Sequence, residues 1–222
     1  MNLRTFYTNY GLELIPVAME NLTLTKCVWD GGWFNKTSFT HKNMPNYILN
    51  AFVQKNLMAS AESDTLLNSF RNQPKVDAAF AQTNIELDIE DAIEIDLKGQ
   101  LDMKSTFNLK KVKSFTISNS KGISIPNSVR LSIDQMLDQI KDEHWNDYKT
   151  GLRRAYMITE LYYGTLTIAI DSDLEADFEA SLPNIDTAIA NKLVLGRTIT
   201  YSFESLNVPF AMRLERIKHF NS

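Results

Sequence analysis

The alternation between Ile85 and Leu109 constrains this chain more than any other feature. Ten of the thirteen odd positions there are apolar: Ile85, Leu87, Ile89, Ile93, Ile95, Leu97, Leu101, Met103, Phe107 and Leu109. The even positions carry Glu86, Asp88, Glu90, Glu94, Asp96, Lys98, Asp102 and Lys104. A period of two places one face of a β-strand in a core and the other in water. Strands average about five or six residues, so the run is one long strand, a bent one or a hairpin. Lys98-Gly99-Gln100 is the expected bend. Glu90-Asp91-Ala92 is a second candidate, as a bulge.

Shorter signals surround it. Residues 12–17 and 22–29 predict strands, with Pro16 placing the first at a sheet edge. Residues 45–58 predict a helix with Ile48, Leu49, Phe52 and Val53 on one stripe. Residues 61–81 are polar and weakly helical, with a break near Pro74. Strand resumes over 112–117, and Asn119-Ser120-Lys121-Gly122 reads as a turn. A helix then runs from Pro126 to about Trp145, with Val129, Ile133, Met136, Leu137 and Ile140 on one face. Residues 148–154 read as a connection. Residues 155–170 are β-branched and aromatic, a central strand with a defect at Gly164. An acidic helical stretch over 172–191, interrupted by Pro183, leads to strands over 193–205 and 208–214. Strands and helices are interspersed without a βαβ rhythm. The expectation is an α+β fold: a twisted, mainly antiparallel sheet with long strands and flanking helices, in one domain spanning residues 1–222.

Composition excludes several classes. With 44% hydrophobic and 23% charged residues, the chain is ordinary globular material. A net charge of −4 argues against broad nucleic-acid binding, which needs surplus Lys and Arg facing phosphates. The single cysteine, Cys27, allows no internal disulfide and no cysteine metal cluster, and a buried structural thiol is expected. The start lacks the pattern of a secretory signal, and no run reaches the ~18 apolar residues of a membrane helix. Synthesis in the cytosol is expected, and the N-x-T sequons at Asn21 and Asn35 then read as chance.

No catalytic constellation stands out. His41, His144 and His219 have no second ligand at metal spacing, and no Walker loop, G-x-S-x-G, G-x-G-x-x-G or H-E-x-x-H occurs. The carboxylates of 86–96 alternate too strictly for a calcium loop and read as a solvated β face. The chain is expected to be no enzyme and to hold no cofactor or metal. Charge is nevertheless uneven. Residues 82–103 carry seven acids and one lysine, whereas 104–121 carry Lys104, Lys110, Lys111, Lys113 and Lys121 with no acid. Two further basic groups are Lys149, Arg153, Arg154 and Arg213, Arg216, Lys218. Such runs are usually solvated faces. They also suit anionic lipid, where each basic residue near the surface contributes about 1 kcal/mol.

Several of these segments in order carry a resemblance: GLELIPV (11–17), the alternating run 85–109, KKVKSFTI (110–117), the helix 126–142, ITELYYGTLTIAI (158–170), the acidic stretch 172–191, strand 195–204 and VPFAMRLERI (208–217). Their succession resembles the pore-forming domain of the gasdermins, in particular the short bacterial and other non-mammalian members. The resemblance implies a protein that is cytoplasmic when inactive and that oligomerises with itself on anionic lipid membranes. Two segments, 83–117 and 155–204, then refold as hairpins of a β-barrel pore, in cell death or defence. It places Lys104, Lys110, Lys111, Lys113, Arg153 and Arg154 at lipid headgroups. It sets the ten apolar residues of the alternating run toward the membrane, and it brings an activating protease or inhibitory partner. The same alternation also fits a soluble, non-enzymatic binding or assembly module with a long half-buried antiparallel sheet.

Overall fold

A computed structural model of the chain describes residues 9–15, 22–30, 36–37, 47–88, 107–182, 189–203 and 209–220. In chain order these form β1 (Glu13–Leu14), β2 (Cys27–Asp30), β3 (Lys36–Thr37), α1 (Ile48–Gln54), α2 (Ser60–Arg71), β4 (Val76–Asp77) and β5 (Ile85–Leu87). Then follow β6 (Ser114–Ser124), α3 (Asn127–Glu143), α4 (Trp145–Arg154), β7 (Ala155–Asp171), α5 (Glu175–Ser181), β8 (Ile189–Leu195), β9 (Thr198–Phe203) and β10 (Ala211–Arg216). Helices beside a large, mainly antiparallel sheet make this an α+β fold, as the interspersed patterns predict. Contacts cluster in two compact units.

The first unit comprises Met1–Val17, Val76–Gly122 and Tyr162–Ala211. Here β6 pairs with β5 through Ile85↔Ile117 and Leu87↔Phe115, and farther along with β4 through Asp77↔Lys121 and Val76↔Gly122. The turn expected at Asn119–Gly122 is therefore not a reversal. Asn119 adopts a φ of 50°, which asparagine tolerates. It sits where β6 changes partner, and Ala78 N donates to Ser120 O there at 2.9 Å. The far half of β7 pairs with β9 from Leu166↔Phe203 to Asp171↔Thr198. β9 in turn pairs with β8, from Leu195↔Thr198 back to Ile189↔Phe203. The sequence reads 193–205 as one strand and 172–191 as helical. The structure instead begins β8 at Ile189 and reverses at Gly196-Arg197. Gly196 has a φ of 60° at the first central position, the pattern of a type II′ hairpin turn.

The core of this unit gathers Leu12, Leu14, Ile85, Leu87, Phe107, Val112, Phe115, Ile117, Leu166, Ile168, Ile170, Phe178, Leu182, Ile199, Tyr201, Phe203 and Phe210. Alternate residues of β7 and β9 supply it, as a half-buried strand should. Gly164 breaks nothing, since β7 is continuous from Ala155 to Asp171. The glycine marks a close approach: a Cβ there would overlap the Ile117 side chain and stand 3.1 Å from Ser118 O.

The second unit comprises Ala18–Lys75, Ile123–Leu161 and Met212–Ser222. β2 pairs with the near half of β7 (Cys27↔Met157, Val28↔Tyr156, Trp29↔Ala155) and with β3 (Trp29↔Thr37, Asp30↔Lys36). It starts later than the sequence suggests because Thr25 takes a φ of 68°. Thr25 N donates to Ile158 O at 2.9 Å and Thr25 O accepts from Ile48 N at 3.0 Å, so the irregular backbone is satisfied. The helices bury the faces their spacing predicts: Ile48, Leu49 and Phe52 on α1, Leu67 and Phe70 on α2, and Ile133, Leu137 and Ile140 on α3. Residues 148–154, expected as a connection, belong to α4. Tyr148 and Leu152, one turn apart, are buried there. Tyr148 Oη donates to Gln54 Oε1 at 3.1 Å, and Asp147 pairs with Lys55 at 2.6 Å. Packing of this kind overrides the poor helix propensity of Gly151.

Candidate membrane-hairpin segments

The first candidate hairpin, 83–117, is described at its two ends. Ile85 and Leu87 are buried and Glu86 is exposed, so the alternation operates in β5. Phe107 is buried too, against Phe178 with ring centroids 5.1 Å apart. Leu109 lies in a short 3₁₀ helix, Leu109–Lys111, rather than in a strand. Ile89, Ile93, Ile95, Leu97, Leu101, Met103 and Lys104, together with the expected bends near Asp91 and Gly99, lie outside the described residues.

The second candidate, 155–204, is described except for 183–188 and 204. The far half of β7 and the six-residue β9 form one antiparallel, amphipathic pair. On one face Leu166, Ile168 and Ile170 of β7 and Ile199, Tyr201 and Phe203 of β9 are buried. On the other face Thr165, Thr167, Thr198, Thr200 and Ser202 are half-buried, with 3.3 Å between Thr167 Oγ1 and Ser202 Oγ. Between these strands stand a 3₁₀ turn (Ser172–Leu174), α5 and β8. Leu193, Val194 and Leu195 of β8 are 52%, 57% and 69% exposed, so this strand buries little apolar surface of its own.

The acidic stretch is not merely solvated. Phe178 faces inward from α5, with ring centroids 4.7 Å from Tyr201 and 6.4 Å from Phe203. Lys192 Nζ of β8 pairs with Glu175, and with Glu179 at 2.7 Å, and lies 5.5 Å from the centre of the Tyr201 ring. Tyr201 Oη donates to Glu179 Oε1 at 2.9 Å. Hydrogen bonds from Lys192 and Tyr201 hold the Glu179 carboxyl below the usual range, and those carboxylates raise Lys192. Burial, and then the bond to Glu179, push the Tyr201 hydroxyl up to about 12. Sequence reasoning missed this cluster. The available signal was one phenylalanine inside a run of acids. Lys192 carries no signal, because its role depends on the register of β8 against Tyr201.

The basic candidates are spread out. Lys110 and Lys111 are exposed on the 3₁₀ helix. Lys113 is fixed: its N donates to Ala169 O at 2.8 Å, and its Nζ pairs with Asp171 at 2.5 Å and donates to Thr198 Oγ1 at 2.9 Å. Arg153 and Arg154 lie in α4, Arg154 exposed. In the third basic group Arg213 pairs with Glu160 at 2.9 Å, and Arg216 lies over the Tyr156 ring.

Cys27 is buried, and burial pushes its thiol up to about 12, so it is a structural residue and not a nucleophile at neutral pH. No group of His, Cys, Asp and Glu that could hold a metal occurs among the described residues. His144 Nδ1 stands 3.7 Å from Asp147, at the junction of α3 and α4. No helix among the described residues is long and apolar enough to cross a membrane. A scan against protein-family models finds no match, and a search of curated proteins finds none either.

Proposed function

We propose that the chain is a membrane pore-forming protein of gasdermin type, non-enzymatic, that oligomerises on anionic membranes into a β-barrel. The β7–β9 pair carries this reading, with one face apolar but for the Tyr201 hydroxyl and the other made of threonine and serine with Ala169 and Asp171. Barrel strands need lipid-facing apolar residues alternating with polar lumenal ones over about nine to eleven residues. β7 keeps one phase of alternation from Gly164 to Asp171, and its pairing with β9 spans six residues on each strand, so a full crossing needs the pair to lengthen. In the folded chain the apolar face is covered by core; in a barrel, lipid would cover it, and the hydroxyl face would meet water. Lys110 and Lys111 supply charge for headgroups, and 83–117 supplies the second hairpin. The protein acts from the cytoplasm, held inactive until a protease or the loss of an inhibitory partner releases it.

The test is release of dye from phosphatidylserine-containing vesicles, with negative-stain imaging of the same vesicles. Graded dye release and large rings are expected. Absence of release at micromolar protein, before and after limited proteolysis, overturns the proposal.

One observation favours a soluble binding or assembly module instead. Ile85 and Leu87 already pack against Ile117 and Phe115 positions in the sheet, so the alternation of β5 has a use without any membrane. That reading expects no partitioning to vesicles and a stable oligomer or ligand complex in solution.

A further inference from the structure

α5 is seven residues long, too short to persist in water on its own propensity. Two kinds of contact hold it. Phe178 is fully buried among Phe107, Tyr201 and Phe203. Lys192 reaches from β8 to Glu175 and Glu179, which are one helical turn apart, while Tyr201 of β9 donates to Glu179. One ammonium and one hydroxyl thus tie the same helix face to both strands of the β8–β9 hairpin. Without Lys192 the two carboxylates are like charges at i,i+4 and repel. The hairpin gains in return. Leu193, Val194 and Leu195 are more than half exposed, so among the described residues β8 is held by its ladder with β9, the contact with α5 and the packing of Ile189 on the core.

We infer that α5 is a strap across the β8–β9 hairpin, locked by Lys192, and that its detachment frees the hairpin to change partners. What the freed hairpin does rests on the pore-forming reading; the lock itself does not. Detachment strips the cover from Tyr201 and Phe203 and leaves β8 with a single strand neighbour among the described residues. The strap and hairpin are continuous in sequence over 172–203, so they can rearrange together.

Hydrogen–deuterium exchange on the full chain in solution reads the lock without any membrane, with dye release from anionic vesicles measured in parallel. Lys192→Met keeps the aliphatic stem over Tyr201 and removes the charge. Exchange over 175–203 is expected to quicken about tenfold, with the second unit unchanged. The charge swap, Glu175→Lys with Lys192→Glu, keeps the Tyr201–Glu179 bond, lets the new lysine pair with both acids and is expected to restore slow exchange. Glu175→Gln, which removes one pair, is expected to fall between. Unchanged exchange in Lys192→Met, a rise spread evenly over the whole chain, or no rescue by the swap each overturns the lock. If exchange follows the charges while no variant releases dye, the lock stands and the pore-forming reading falls.

Discussion

Replacing Gly164 by alanine tests the packing of the first unit at its tightest point. The added Cβ would overlap Ile117 Cγ2, and would stand 3.1 Å from Ser118 O and 3.4 Å from Phe210 Cε1. Ile117 is fully buried on β6 and registered opposite Ile85, so it has nowhere to move without disturbing a second strand. Overpacking of this kind costs about 1–3 kcal/mol. Loss of glycine freedom in the unfolded chain returns about 0.4–1 kcal/mol. The net expectation is destabilisation by about 1–2 kcal/mol, or about 2–8 °C in Tm for a chain of this size. Urea and thermal melts followed by near-ultraviolet dichroism measure it. Ile117→Ala alone should cost about 2–5 kcal/mol through its cavity. In the Gly164→Ala background it should cost less, because the new methyl fills part of that space, with a coupling of about 1 kcal/mol. A Gly164→Ala protein as stable as the parent, with the double mutant additive, would show that β6 and β7 do not meet as described.

Other perturbations separate further parts of the argument. Phe178→Ala removes the buried anchor of α5, at a cost of about 3–5 kcal/mol if the fold stayed intact around the hole; a seven-residue helix cannot sustain that, so native-state proteolysis should appear first within 172–182. Cleavage elsewhere first would refute the assignment. The lock also has a pH signature. Glu179 is depressed, so its contribution is complete above the ordinary glutamate value of about 4.3 and is lost as pH falls through the lowered one. Lys192 is raised, and Tyr201 is raised to about 12; their contributions are complete below about 10 and are lost as pH rises through the shifted values. Exchange over 175–203, corrected for its intrinsic pH dependence, should therefore be slowest between about pH 5 and 9. An identical profile in Lys192→Met would remove the assignment. Cys27 should resist a thiol reagent at pH 8 in the native protein and react fully in guanidinium, because burial keeps the thiolate out of reach; prompt native labelling would contradict its burial.

The parts of the fold that were legible in the sequence are those where one local pattern decides. β7 announces itself because its β-branched and aromatic residues leave no other conformation favoured, and α3 because Ile133, Leu137 and Ile140 fall on one face. The misses occur where a partner decides. α4 exists because Tyr148 and Leu152 are buried, a fact absent from a polar stretch containing Gly151. Gly196 was hidden inside a stretch of strand formers, since Gly-Arg lacks the plain turn signature of Asn-Gly. The turn-forming residues of β6 serve a change of neighbour, which no one-dimensional reading distinguishes from a reversal. The candidate hairpins follow the same rule. Of the alternating run, Ile85, Leu87 and Phe107 are buried as the pattern predicts, whereas the lock at Lys192 depends on which residue β8 sets beside Tyr201.

That contrast bears on what a pore-forming change would require. The apolar residues of β7 and β9 need cover in either state, so exchanging protein core for lipid changes the requirements of Tyr201 alone among them, whose hydroxyl would lose Glu179 as acceptor. Their hydroxyl face accepts water in both states. The strand pair itself can also survive, since its hydrogen bonds run between β7 and β9 and not to the surroundings. What must change is the cover: Phe178 has to leave the aromatic cluster, and Lys192 has to give up two carboxylates. On the pore-forming proposal, α5 is then one contact that must break before the β7–β9 pair changes its surroundings. A strand pair able to line a barrel could therefore remain stably folded in water until the strap is drawn off. On that proposal the acidic insert carries a point of control that the alternation of 85–109 does not reveal, since a pattern speaks only of where faces can rest.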